Sequence, residues 1–68
     1  MDIENQIKCF AGYVASRAPV SYDNARILFS ICDMMEIGIE KVVEDLKSMN
    51  GNWYALHREY VFESKYEI

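Results

Sequence analysis

Few residues in this 68-residue chain have types and spacings that could do chemistry. His57 is the sole histidine, and catalysis or zinc binding would need partners at defined spacing that neither cysteine provides in sequence. Cys9 and Cys32 form no C-x-x-C pair, and each sits among apolar neighbours, which predicts buried, reduced thiols. Asp33, Glu36, Glu40 and Glu44 succeed one another at spacings of three, four and four. On an unbroken helix they would form an acidic stripe, either a solvated face or an electrostatic contact for a basic surface. The ordered oxygen-rich loop of a calcium site is missing, so no metal is assigned. There is no nucleophile elbow, phosphate-cradling glycine loop or His-Glu zinc motif. No cofactor and no enzymatic activity are therefore expected.

The remaining chemistry is that of contact. Trp53, Tyr54, Tyr60, Phe62 and Tyr66 crowd into the last quarter of the chain. A domain this small has little interior in which to hide so many rings unless the tail packs on the core or meets another chain. Trp53, Tyr54, Phe62 and Tyr66 are the candidate partner-binding residues, with Glu36, Glu40 and Glu44 as an acidic accompaniment. If the tail packs on the core, Trp53 and Tyr60 belong to the interior instead.

The elements that must position these residues are helical. Ile3, Ile7, Phe10, Ala11 and Val14 share one helical face between Asp2 and about Ser16. Pro19 lacks an amide hydrogen and biases Ala18 away from helical angles, so the helix stops there. Ser21 offers an N-cap oxygen and Asp23 a first-turn acid, predicting a second helix from Tyr22 to about Met35. Its apolar residues wrap past half the circumference and leave Tyr22, Arg26, Ser30 and Asp33 as a polar strip. That helix is either central to the bundle or shares a face with a second protein. Gly38 marks a turn, and a third helix from about Ile39 to Met49 carries the narrow stripe Ile39, Val42, Val43, Leu46 and Met49. Asn50-Gly51 suits a left-handed helix end, and Asn52 can cap a fourth helix.

The tail reads two ways. Trp53, Leu56, His57, Tyr60 and Val61 share a helical face, but from Val61 to Ile68 the pattern alternates with a period of two, as in a strand. The predicted fold is thus all-α, a single domain over residues 1–68: a compact bundle of three to four short helices, with residues 61–68 open to an extended conformation.

Composition narrows the function. Apolar residues make up 51%, which places the chain among folding domains. At this length one core gives little net stability, so a homodimer is a live expectation. The net charge of -4 disfavours nucleic acid as a partner. Met1-Asp2-Ile3-Glu4-Asn5 has no basic region or apolar run of a signal peptide, and no stretch approaches a membrane span; the expected compartment is the cytoplasm. The resulting expectation is a small acidic protein-binding module, a regulator or inhibitor that occludes a larger protein, antitoxin-like or of the phage anti-host type. The alternative is a helix-turn-helix-like DNA-binding regulator with Ile39 to Met49 as recognition helix. Glu40, Glu44 and Asp45 there oppose approach to the major groove.

Overall fold

The computed structural model describes residues 2–66, the side chain of Tyr66 excepted. It contains four helices, α1 (Ile3–Arg17), α2 (Tyr22–Met34), α3 (Ile39–Ser48) and α4 (Trp53–Tyr66). Each starts where the sequence supplies a cap or a break. The Asp2 carboxylate accepts from the Glu4 amide at 3.3 Å, and Ser21 Oγ accepts from the Asn24 amide at 3.2 Å. Asn52 Oδ1 accepts from the Ala55 amide at 3.3 Å at the head of α4. Ala18, ahead of Pro19, is extended at φ -125 and ψ 155, which ends α1.

α2 and α3 both end in Schellman motifs, in which one left-handed residue lets two successive amides satisfy the last carbonyls. For α3 the left-handed residue is Asn50 (φ 56), with Gly51 N–H donating to Leu46 O at 2.7 Å and Asn50 N–H to Lys47 O at 3.2 Å. For α2 it is Glu36 (φ 56), with Ile37 N–H donating to Cys32 O at 2.9 Å and Glu36 N–H to Asp33 O at 3.2 Å. Gly38, read from sequence as the turn residue, instead occupies the N-cap of α3 with ordinary extended angles, φ -64 and ψ 144.

α1 packs on α2, α2 on α4, α4 on α3 and α3 back on α1, so the helices close a ring in the order α1, α2, α4, α3. The consecutive helices α2 and α3 are not among the well-packed pairs. Phe10 and Val14 from α1, Leu28 from α2, Leu46 from α3 and Leu56 from α4 meet in one core. The molecule measures 30 × 29 × 17 Å, a slab no more than two helices thick.

One open reading is decided and one expectation is corrected. Of the two readings of the tail, the helical one holds through Tyr66: α4 runs that far because extending an existing helix adds one hydrogen bond per residue, whereas a strand would need a partner edge. Residues 67 and 68 of that expected segment lie outside the described residues. Cys9 is exposed, not buried, because it falls off the Phe10, Ala11, Val14 face of α1, while Cys32 is buried. Among the described residues, no helix is long and apolar enough to cross a membrane.

Candidate contact surface

The inward side of α4 is set by Leu56 and Tyr60, which are buried four residues apart on one helical face. Its outward side is therefore fixed as well. Tyr54 and Phe62 lie there, each 61% exposed, with exposed Arg58 midway between them, four residues from each. Ala55, Arg58, Glu59 and Phe62 line a shallow hollow on this side of the helix. Trp53 is half-buried against the core, its ring edge-on to Tyr54 with centroids 5.7 Å apart, so it buttresses Tyr54 from below. Tyr66 continues the same helix, and its side chain lies outside the described residues.

Tyr60 is core, and a polar cluster invisible in the sequence holds its hydroxyl. Tyr60 Oη donates to Asp45 Oδ2 at 2.7 Å, and Lys41 Nζ donates to the same oxygen at 2.7 Å. Burial raises the Tyr60 phenol above its ordinary value, and the Asp45 carboxylate that it donates to raises it further. Burial alone would raise Asp45, but the hydrogen bonds from Lys41 and Tyr60 outweigh it and hold the carboxyl below the usual range. Its hydrogen bond to Asp45 raises Lys41. Burial, with a smaller contribution from Asp45, pushes the Cys32 thiol up to about 12, so it stays protonated and inert at neutral pH. The i, i+4 spacing of Lys41 and Asp45 is readable from the sequence; the reach to Tyr60, fifteen positions on, is not.

The acidic residues do not form one helical stripe. Glu36 sits left-handed in the α2–α3 turn, and the break there separates Asp33, on α2, from Glu40 and Glu44, which are exposed on α3. Asp33 and Glu36 edge a shallow hollow floored by Phe10, Phe29 and Cys32. The structure thus divides the sequence-derived contact residues between α4 and the turn with α3. His57 is half-buried, and among the described residues no group of three or more His, Cys, Asp or Glu side chains could hold a metal ion.

Fold and surface together define a small all-α protein with four short helices in a closed ring. Comparison with protein-family models, curated proteins and solved structures finds no match to this chain.

Proposed function

We propose that this chain is a protein-binding module that regulates or inhibits a larger protein by covering part of it, in the manner of an antitoxin or a phage inhibitor of a host enzyme. The observation that carries this reading is the outward side of α4, where Tyr54 and Phe62 are each 61% exposed on a helix whose other side is locked into the core. Large rings on a rigid helix lose little conformational entropy on contact, and with Arg58 between them they have the composition of a binding hot spot. Glu36, Glu40 and Glu44 favour a partner with basic residues around its apolar contact. The reading is non-enzymatic: the hollows described on the surface, such as those lined by Phe10 and Phe29 or by Arg58 and Phe62, are shallow and open, unlike the concave pockets that enclose a substrate.

Support for the DNA-binding alternative is thinner. The candidate recognition helix α3 is not among the helices well packed on α2, as a helix-turn-helix pair requires, and Lys41, one of its two lysines, is ion-paired to Asp45 at 2.7 Å.

The test is a photo-crosslinking residue placed at position 54, with the same residue at position 47 as control. A single protein captured at 54 and lost on Phe62→Ala, with helical circular dichroism unchanged, supports the reading. Capture that survives Phe62→Ala, or that is equal at both positions, rejects it.

A further inference from the structure

α2 carries a second exposed surface, distinct from that of α4. Arg26, Ile27, Ser30, Asp33 and Met34 are all exposed, with Ile27 46% and Met34 65% accessible; Met34 is the most exposed large apolar side chain described. At about 100° per residue these five positions form a stripe about 120° wide. Ser30 runs down its middle, Arg26 and Asp33 lie on one flank, and Ile27 and Met34 on the other. Among the described residues, neither Arg26 nor Asp33 has an ion-pair partner.

The stripe is self-complementary. In an antiparallel pair of helices related by a twofold axis, like flank meets like flank and the order along the helix is reversed. With the axis at Ser30, Ile27 lies beside the partner's Met34, and Arg26 lies beside the partner's Asp33. Each contact occurs twice, and Ser30, the smallest of the five, falls where the two backbones approach most closely. Ile7, Asp23, Arg26 and Ile27 line a shallow hollow, and this register aims the partner's Met34 at it. A further observation fits the same register: the last turn of α2 contains Asp33 and no basic residue, opposite to what the helix dipole favours. The partner's Arg26 would supply the missing cation at that helix end.

We infer that the chain forms a symmetric homodimer through α2, packed antiparallel about Ser30, with apolar Ile27–Met34 contacts on one flank and Arg26–Asp33 ion pairs on the other. The occupant of this face is a second copy of the chain because both the charge order and the apolar order match their own reverse. The contact leaves α4 out, so it stands or falls independently of the partner-binding reading. One short helix pair is at the small end of specific interfaces, and the dimer is expected to dissociate at about 1 to 100 µM.

Sedimentation equilibrium on the full chain and three charge variants tests it. The wild type should dimerise in that range. Arg26→Asp and Asp33→Arg, each placing like charges together twice, should weaken the dimer at least ~30-fold. The double swap Arg26→Asp/Asp33→Arg should restore it to within ~5-fold of wild type. Both exchanged positions are on the surface, and circular dichroism melts check that each variant folds. A wild type that is monomeric to about 500 µM overturns the inference, since that lies well above the dissociation range of so small an interface. So does a dimer indifferent to both single changes, or a double swap that fails to recover.

Discussion

Gly51 is the residue whose side-chain-free backbone matters most to this fold. It has φ +79, and a Cβ built there would run into the backbone carbonyl of Pro19, in the connection between α1 and α2. Gly51→Ala therefore carries two costs. The left-handed backbone costs an L-residue about 1 to 2 kcal/mol. The clash is with backbone that cannot swing aside cheaply, since Ala18 N–H donates to Val14 O at 2.9 Å and Val20 N–H to Ala18 O at 2.8 Å on either side of Pro19. Moving Gly51 instead would disturb its own bonds, its N–H to Leu46 O and its C=O from Trp53 N–H, both 2.7 Å and each worth about 1 kcal/mol. The expected loss is about 2 to 4 kcal/mol, against a total stability of about 3 to 10 kcal/mol for a domain of this size. Urea unfolding monitored by helical circular dichroism reads it directly: with a slope of about 1 kcal/mol/M, the midpoint should fall by about 2 M or more. Asn50→Ala is the control, because Asn50 is also left-handed (φ 56) and should lose only about 1 kcal/mol. If the two variants lose the same amount, the approach of Pro19 contributes nothing and the reasoning fails.

Three further outcomes are expected. Glu36→Gly should stabilise the fold by about 1 kcal/mol, seen as a higher urea midpoint, because Glu36 holds a left-handed conformation (φ 56) that glycine adopts freely. Tyr60→Phe should cost about 1.5 to 3 kcal/mol, since it removes a hydrogen bond to a charged carboxylate on the buried edge of α4; a loss under ~0.5 kcal/mol would mean that Asp45 is fully served by Lys41 and water. Cys32 and Tyr60 both have folded pKa values raised above their unfolded ones, so their contribution is complete below the unfolded values and is lost as pH rises. The melting temperature should fall from about pH 9 upward, where the unfolded thiol begins to ionise while the folded one holds its proton towards 12, and Cys32→Ala should make that fall shallower.

The helices are legible because their ends are punctuated by residues with one mechanical meaning: Pro19, Ser21, and the run Asn50-Gly51-Asn52. The end of α2 is harder, since its left-handed residue is a glutamate and the nearby Gly38 points to the wrong position. The alternation after Val61 suggests a strand because a pattern of two fits any short amphipathic run, whereas helix continuity is decided by hydrogen bonds already formed upstream. On α4 the inward set Leu56 and Tyr60 can be read from spacing, which leaves Tyr54 and Phe62 outside by elimination. The ring order of the helices cannot be read, because which faces meet depends on packing among all four. The Tyr60–Asp45 bond depends on that order and is hidden with it, whereas the exposure of Cys9 follows from its place off the Phe10, Ala11 and Val14 face of α1, which spacing alone shows.

The two cysteines differ in a way that makes the molecule its own stopwatch. Cys9 stands in solvent, while Cys32 is buried and holds its proton up to about 12. A maleimide added at neutral pH should therefore mark the first at once and reach the second only when the bundle opens. The slow phase of modification then counts openings of the natural sequence, with no engineered reporter, and its dependence on protein concentration shows whether association holds the four helices shut.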